Sequence, residues 1–185
     1  MSHDSDETVT VLPPVPLLLK ERGIDLRKET PEDLQFLRSL YIAGRQDELS
    51  QVNWPESTKI AFLSQQFELQ TQYYKSNYRG AAWGIITKES YPIGRLYIHA
   101  NTKDIRIIDI SIMSDFRNQG IGNEIIRSIF SLATVAKIGV SIHVDLFNSS
   151  AKRLYDRLGF ILTGTSGHYH RMEWTPHPHI NTTPK

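Results

Sequence analysis

The chain has 185 residues, of which 39% are hydrophobic, and this length suits one domain with a sizeable core. Its 21 basic and 20 acidic residues give a formal net charge of +1. This balance argues against a protein that coats nucleic acid, because a basic excess supplies that affinity. The sequence contains no cysteine, which excludes disulfides, thiolate metal sites and a cysteine nucleophile.

The start of the sequence indicates neither a membrane span nor a signal peptide. Its longest apolar run, residues 15–19, is far shorter than the roughly 20 residues that a membrane span needs. Residues 1–10 are acidic, whereas a signal peptide begins with a basic region. We therefore expect a soluble, cytoplasmic protein whose partners include neither a membrane nor nucleic acid.

Composition divides the chain into three predicted parts. Residues 1–23 begin with acidic residues and continue through several prolines, so we predict an N-terminal extension that resists packing. Residues 24–174 are predicted to form the domain. Residues 175–185 carry three prolines and are predicted to be a flexible tail.

The elements of the first half follow from apolar spacing and from one helix-start signal. Thr30, followed by Pro31 and then by Asp33, is typical of a helix N-terminus. The predicted elements are a strand over 24–28, a helix from 30 to Gly44, a polar loop over 47–54, a helix over 55–78 with Ile60, Leu63, Phe67 and Tyr74 on one face, and strands near 80–88 and 93–99.

The second half predicts strands that alternate with helices. The predicted elements are a strand over 105–113, a helix over 122–137 with Ile125, Ile126, Ile129 and Ala133 inward, a strand over 140–147 whose inward residues include Leu146, a helix between Asn148 and Gly159, and strands over 160–163 and 169–174. The helical crossover makes the first two of these strands parallel, with a connection that is almost always right-handed. Two helix N-termini then lie near the carboxyl ends of neighbouring strands, where open α/β sheets bind ligands.

The turn before the helix over 122–137 has the composition of an anion site. Gly120 and Gly122 lack a Cβ, so the main chain can turn sharply and an oxygen-rich group can approach its N–H donors. The positive end of the helix dipole favours a pyrophosphate at this place. The spacing matches neither the dinucleotide fingerprint nor the nucleotide-triphosphate P-loop. A simple glycine turn into a helix is the alternative explanation.

Two segments resemble motifs of one enzyme family. Residues 110–122, with the sequence ISIMSDFRNQGIG, resemble motif A of the GNAT superfamily of N-acetyltransferases, although Ser114 stands where the family often has proline. Residues 148–160, with the sequence NSSAKRLYDRLGF, resemble motif B, whose pattern is N-x-x-A-x-x-L-Y-x-x-L-G-F. Both motifs occur in the family's order and at its distance, and the order of elements resembles the family over roughly residues 24–174.

The resemblance implies a fold, a cofactor and the residues that bind it. The fold is α/β (α+β): a mixed, mostly antiparallel twisted sheet with helices on both faces and a parallel strand pair splayed at the cofactor site. The cofactor is acetyl-CoA, as acyl donor. Main-chain groups of Ile110, Ser111 and Ile112 would pair with its acyl group and pantetheine arm. The other residues implied for cofactor binding are Arg117, Asn118, Gln119, Gly120, Ile121, Gly122, Asn123 and Asn148.

Acetyl transfer to an amine requires a neutral amine, donors for the developing oxyanion and a proton for the departing thiolate. Without cysteine, we expect direct transfer in a ternary complex. The resemblance places Tyr155 near the sulfur. A phenol has a pKa of about 10, so Tyr155 keeps its proton at pH 7 and can serve as the acid. The alternative role for Tyr155 is core packing on the apolar stripe of its helix.

Two residues are candidates for the base. His143 lies on the polar face of its predicted strand, where Asp145 can orient it, and a structural histidine is the alternative. Asp109 interrupts an isoleucine-rich strand, and a carboxylate there needs either a task or a partner such as Arg95 or Arg106. A chain of water molecules that replaces a single base is a third option.

The acceptor is expected to be a small-molecule or peptide amine. The candidates for binding it are Arg45, Gln46, Asp47, Glu48, Trp54 and Tyr169. Among them Asp47 and Glu48 suit a cationic amine, and a solvated polar loop is the alternative. Four histidines near the C-terminus lack carboxylate or cysteine partners, so no metal site is expected at His168, His170, His177 and His179.

The sequence thus predicts an N-acetyltransferase that moves an acetyl group from acetyl-CoA to a primary amine, with a homodimer as an open option. The alternative is a non-catalytic acyl-CoA-binding sensor or regulatory module of the same fold. An enzyme that acylates aminoacyl-tRNA is a further rival, and the lack of a basic excess counts against it.

Overall fold

Seven strands and five α-helices make up residues 10–176, the part of the chain that the computed structural model describes. The helices are α1 (Leu17–Lys20), α2 (Leu34–Arg45), α3 (Glu56–Asn77), α4 (Ile121–Ala136) and α5 (Ser149–Leu158). The strands are β1 (Ile24–Lys28), β2 (Ala82–Lys88), β3 (Tyr91–Ala100), β4 (Asp104–Ile112), β5 (Gly139–Asp145), β6 (Ile161–Ser166) and β7 (Tyr169–Trp174). Short 3-10 turns cover Pro31–Asp33, Gln46–Leu49 and Ser114–Phe116.

All seven strands form one sheet in the order β1-β2-β3-β4-β5-β7-β6. Neighbouring strands are antiparallel except β4 and β5, which run parallel and are joined by α4. Their pairing covers only residues 104–107 of β4 and 139–142 of β5, although both strands continue further. The two strands therefore separate towards their carboxyl ends. This confirms the predicted mixed, mostly antiparallel sheet with a splayed parallel pair.

An extra residue in β4 marks the point where the parallel pair separates. Tyr97 of β3 is opposite Asp109 of β4. The next residue of β3, Ile98, is opposite Ile107, so Ile108 has no partner across this strand pair. Such a bulge bends a strand and increases its local twist. The bend follows directly after Ile107, the last residue of β4 that pairs with β5.

Each face of the sheet carries its own hydrophobic core. The larger core lies between the sheet and α1, α4 and α5, and its fully buried large side chains are Leu19, Ile24, Ile86, Ile93, Leu96, Ile98, Ile107, Ile121, Ile126 and Ile129. The smaller core lies beneath α2 and α3, and it contains Leu37, Tyr41, Leu63, Phe67, Ile85 and Tyr97. Burying one such aliphatic or phenyl side chain contributes about 1.5–3 kcal/mol. Helices therefore cover both faces of the sheet, as predicted.

The segment that precedes β1 packs onto the larger core. Leu19 of α1 is fully buried, and Leu12 and Val15 pack against the same core. The hydroxyl of Ser128 in α4 donates a hydrogen bond to the main-chain oxygen of Pro14. The segment is therefore held by both apolar and polar contacts.

The prediction of an extension that resists packing is consequently wrong for residues 10–23. Apolar residues stand between the prolines, and prolines fix φ, so ordering this segment costs less conformational entropy than its composition suggests. Residues 1–9 of the predicted extension lie outside the described residues, as do residues 177–185 of the predicted tail.

Two apolar residues that were predicted to face the core are exposed. Ile60 is 44% exposed, because α3 contacts the smaller core through Leu63 and Phe67 further along the helix. Leu146 is 37% exposed, because β5 ends one residue before it. Within residues 10–176, none of the helices combines the length and the apolar composition that crossing a membrane requires.

The start of α2 depends on the buried carboxylate of Asp33. This carboxylate accepts two hydrogen bonds of 2.7 Å from the Arg27 guanidinium of β1. It also accepts one of 2.8 Å from the main-chain N–H of Thr30. The hydrogen bonds from Arg27 hold the pKa of Asp33 below its usual value. One side chain thus ties the helix start to the first strand of the sheet.

Replacing this carboxylate tests the contact. For Asp33→Ala we expect the free energy of unfolding at pH 7 to fall by about 1–2 kcal/mol, because the helix start and the ion pair lose their acceptor. Since the folded-state pKa of Asp33 is depressed, the difference from wild type is present above the unfolded pKa of about 3.9 and disappears as pH falls through the folded pKa. Urea denaturation across this pH range measures the difference.

The matched control is Asp25→Ala. The carboxylate of Asp25 accepts a hydrogen bond only from the N–H of the adjacent Leu26, so stability should stay within about 0.5 kcal/mol of wild type. An Asp33→Ala variant that is as stable as this control would contradict the assignment.

Candidate active site

A cleft of about 640 Å³ opens where β4 and β5 separate. It is lined by the carboxyl end of α2, the splayed part of β4, the turn into α4 and the first turns of α4 and α5. Asp109 of β4 and Tyr155 of α5 both line it. All cofactor-binding residues predicted from the sequence line it as well, apart from Gln119. The structure therefore brings two of the three predicted catalytic residues together with the predicted anion loop.

In the predicted anion loop, the main-chain N–H groups of residues 118–123 have no hydrogen-bond partner within residues 10–176, and all of these residues except Gln119 line the cleft. The two preceding N–H groups, of Phe116 and Arg117, donate within the 3-10 turn. The first main-chain hydrogen bond of α4 runs from the N–H of Glu124 to the oxygen of Gly120, at 3.0 Å. A run of free donors at the positive end of a helix is the arrangement that binds phosphate groups.

Local backbone conformation aims these donors. Asn118 and Gly120 have positive φ values of 58° and 77°. A left-handed conformation costs most L-residues roughly 1–2 kcal/mol, and glycine and asparagine tolerate it best. Gly122 is not required sterically in the same way, because a Cβ there would only reach ordinary van der Waals contact, 3.6 Å from Cδ1 of Ile112.

Side chains brace the loop from outside and from beneath. The Nε of Arg117 donates to the main-chain oxygen of Ile112 at 2.7 Å, and Nε2 of Gln119 donates to that of Asp115 at 2.9 Å. Nη1 of Arg22, from the segment before β1, donates to the main-chain oxygen of Gln119 at 3.0 Å. Gln119 thus supports the loop while its side chain turns away from the cleft.

Asp109 is the centre of a polar network in the wall of the cleft. Its Oδ2 accepts a hydrogen bond from Nη2 of Arg95 at 2.7 Å, and its Oδ1 accepts one from the Ser111 hydroxyl at 2.7 Å. The Tyr74 hydroxyl donates more weakly, at 3.4 Å. Of the two pairings considered for Asp109, the structure therefore contains the one with Arg95, and Arg106 pairs elsewhere.

Tyr155 is buried in the wall of the cleft, with 6% of its surface exposed. Its ring packs edge-on against Phe160 with the ring centres 5.6 Å apart. Burial, and to a smaller extent the negative charge of Asp109, raises the pKa of the Tyr155 phenol above its usual value. The phenol therefore keeps its proton at every physiological pH. The predicted functional role and the predicted packing role are compatible in this position.

His143 lies outside the residues that line the cleft. It is exposed on β5, its ring nitrogens contact the Arg106 guanidinium, and its ring stacks at 6.4 Å on Tyr169. Burial of part of the ring, Arg106 and Arg171 lower the pKa of His143. Asp145 does not orient this histidine in the structure, since its Oδ1 accepts a hydrogen bond from the N–H of Phe147 at 2.8 Å.

Of the six candidates for acceptor binding, only Arg45 and Glu48 line the cleft. Glu48 lines the cleft, where it pairs with Arg45 at 3.3 Å. Asp47 is exposed in the adjacent 3-10 turn. Trp54 packs edge-on against Phe62 of α3, 5.6 Å between ring centres, and does not line the cleft. Tyr169 is 47% exposed beside His143 and does not line it either.

Several residues that line the cleft had no role in the sequence prediction. Tyr41 and Gln70 reach the cleft from α2 and α3, and Oε1 of Gln70 accepts a hydrogen bond from Nη2 of Arg95. The spacing of these residues along the sequence predicts which face of a helix they share. It does not predict what that face contacts, because this depends on how the helix packs on the sheet. The nearest signal in the sequence is Arg45, which follows Tyr41 by four residues and stacks on its ring at 4.8 Å.

The histidines of the C-terminal region are placed only in part. Within residues 10–176 there is no group of three or more His, Cys, Asp or Glu residues that could hold a metal ion. The Nδ1 of His170 lies 3.2 Å from the Thr165 hydroxyl. His177 and His179 lie outside the described residues.

The chain is similar in fold to several solved structures, and two of those described next are acetyltransferases. It is 16% identical to the PaiA N-acetyltransferase from Thermoplasma acidophilum, solved in complex with coenzyme A, with 83% of this chain and 99% of that chain covered at a TM-score of 0.64. It is 16% identical to the acetyltransferase from Thermus thermophilus, with 83% of this chain and 97% of that chain covered at a TM-score of 0.61. It is 15% identical to PH1933 from Pyrococcus horikoshii, with 84% of this chain and 99% of that chain covered at a TM-score of 0.61. No curated protein matches the chain significantly.

A family-level match in sequence goes further than these similarities of fold. The profile of the Acetyltransferase (GNAT) family matches residues 46–160, which is more than half of the chain. The matched part contains α3, the splayed strands, the anion loop and Tyr155. This family uses acetyl-CoA as acyl donor, which confirms the predicted cofactor. The chain belongs to the GNAT family of acetyltransferases.

Proposed function

We propose that this protein moves an acetyl group from acetyl-CoA to a primary amine by direct attack in a ternary complex. One observation carries the proposal: of the six residues 118–123, whose N–H groups are free, all but Gln119 line a single cleft with Asp109 and Tyr155. A row of donors alone would suit any phosphate-bearing ligand. A protonated phenol and a charged network in the same cleft support a reaction there.

The residues present fit the cofactor. The N–H groups of residues 118–123 would hold its pyrophosphate. The edge of β4 that has lost its β5 partner, residues 110–112, would pair with the amides of its pantetheine arm. The Oδ1 of Asn148 caps α5 by accepting from the N–H of Ala151 at 3.0 Å, so its amide nitrogen is the group left for the cofactor. When bound, acetyl-CoA supplies an activated acyl group and a sulfur leaving group.

Tyr155 is the proposed acid. Its Oη holds a proton at physiological pH because burial and Asp109 raise its pKa. This proton would pass to the departing sulfur, and the phenolate would recover one from solvent. General acid catalysis of this kind contributes typically about 10²–10⁴-fold to a rate.

Asp109 is the proposed contact for the acceptor amine, since it is the predicted base that lines the cleft. Its carboxylate already accepts from Arg95 and Ser111, so it would orient the amine through a further hydrogen bond. The amine would lose its proton to solvent in the open cleft.

The function is tested by acetyl-CoA consumption against a panel of amines, with the acetylated product identified by mass spectrometry. The panel includes amino acids, their amides, polyamines and short peptides. Release of free CoA together with one acetylated amine supports the proposal. Tight cofactor binding without any acetylated product would favour the alternative, a non-catalytic acyl-CoA sensor.

Gly120 tests the pyrophosphate cradle. Its φ of 77° is strained for alanine, so Gly120→Ala should rotate the peptide and misdirect the donors around it. We expect CoA to bind about tenfold more weakly by calorimetry, which corresponds to roughly 1.4 kcal/mol. Gly164→Ala is the matched control, because a Cβ there meets no atom within 4 Å. Equal CoA affinities for the two variants would contradict the proposal that the N–H groups around Gly120 bind the pyrophosphate.

Tyr155 tests the acid. Tyr155→Phe keeps the ring that packs on Phe160 and removes only the hydroxyl, so the fold and CoA affinity should be retained. We expect kcat to fall by about 10²-fold or more. Tyr73→Phe, at a residue that is 57% exposed, is the control and should leave kcat unchanged. A Tyr155→Phe enzyme with wild-type kcat would remove Tyr155 from the mechanism.

His143 separates the two base candidates. Because it lies outside the cleft, His143→Gln should leave kcat/KM and its pH profile unchanged. Since the folded-state pKa of His143 is lowered, wild type loses stability as pH falls below the unfolded pKa of about 6.5, and the variant should lose less. Loss of an ionisation from the pH–rate profile of the variant would restore His143 as the base.

A further inference from the structure

The acceptor end of the cleft carries an ion pair with both charges in its wall. Nη2 of Arg95 and Oδ2 of Asp109 are 2.7 Å apart, and both residues line the cleft. Their side chains are only 4% and 13% exposed. Two opposite charges that are fixed side by side are complementary to a ligand that also carries both signs close together.

Arg95 has donors that the protein does not use. A guanidinium carries five N–H donors. Nη2 of Arg95 donates to Oε1 of Gln70 at 2.8 Å and to Asp109. Within residues 10–176, Nε is buried without a hydrogen-bond partner, and Nη1 makes no hydrogen bond either. A buried guanidinium with unused donors beside a cleft has the chemistry of a carboxylate-binding group.

Arg45 adds a second positive group at this end. Its guanidinium lies 4.8 Å from the ring centre of Tyr41, which holds it over the cleft. Its partner Glu48 is 3.3 Å away and its side chain is 60% exposed, so this pair contributes little. Arg45 can therefore exchange Glu48 for a ligand at small cost.

We infer that the acceptor is a small zwitterionic amine, an amino acid whose carboxylate lies next to the amine that is acetylated. This inference rests on the proposed function and names its substrate class. Nη1 of Arg95 and the guanidinium of Arg45 hold the carboxylate, while the amine faces Asp109. The charge of Asp109 also acts on Tyr155, so the amine lies at the end of the cleft where the acid is.

Other amines fit these charges poorly. A polyamine would meet two guanidinium groups, and the cleft is lined by only two acidic residues, Glu48 and Asp109, to offset its several positive charges. An amine without a carboxylate would leave the spare donors of Arg95 without an acceptor. A site built to bind a polar group rejects a ligand that lacks it, because its own buried groups are then left unpaired.

The carboxylate preference is measurable without turnover. Glycine, leucine, phenylalanine and glutamate, each with its amide, are titrated by calorimetry into the full-length protein saturated with CoA. The amino acid that binds most tightly should have an affinity at least about tenfold higher than that of its amide. Arg45→Gln should abolish most of this preference, whereas Arg95 is too buried for its replacement to be a clean test.

The matched control is Arg38→Gln. Arg38 lies on the same helix, pairs with Glu68 at 3.1 Å and does not line the cleft, so the preference should be retained. Equal affinities for acids and amides in wild type, or an unchanged preference in Arg45→Gln, would overturn the inference.

Turnover with the same pairs, and with spermidine, separates this inference from the proposed function. Acetylation of amides or spermidine with kcat/KM equal to that of the acids overturns the zwitterion and leaves the acetyltransferase intact. Preferential binding of acids without acetylation of any amine supports the carboxylate site and refutes the transferase.

Discussion

The early end of the pairing between β4 and β5 is the constraint on which the site depends. Adjacent parallel strands form main-chain hydrogen bonds with each other only while they stay side by side. Here the pairing covers four residues of each strand and ends at Ile107 and Ile142. The bulge at Ile108 bends β4 away at this point. A gap then opens into the sheet, and the N-terminal turns of α4 and α5 both line it.

The same bulge decides which face of the sheet receives the carboxylate. Ile105 and Ile107 belong to the larger core, and Ile110 and Ile112 pack against it too, so the alternation of β4 shifts by one residue across Ile108. Without this shift, Asp109 would point into that apolar core, where an unpaired charge is strongly unfavourable. One extra residue therefore both opens the cleft and turns Asp109 towards Arg95.

The proposed cofactor half of this cleft could be predicted in its geometry because its information is local. The conformation of Gly120 and the cap at Asn148 are set by residues a few positions apart, and the sequence indicates both. The acceptor half depends on packing across the sheet, which brings Arg45 of α2, Arg95 of β3 and Asp109 of β4 to one wall. No spacing along the chain encodes that meeting. Alternation likewise predicted the polar face of β5 but not what that face meets.

Asp109 also links the two halves chemically. Together with burial, its charge raises the pKa of Tyr155. An ordinary thiol has a pKa of about 8.5, so transfer of the phenol proton to a thiolate is unfavourable before the amine attacks. In the proposed reaction the attacking nitrogen becomes positive as its bond to carbon forms. A cation beside Asp109 offsets the negative charge that acts on the phenol. Tyr155 therefore becomes a stronger acid at the stage when the sulfur needs its proton, and the fixed partner Arg95 keeps the carboxylate in place throughout.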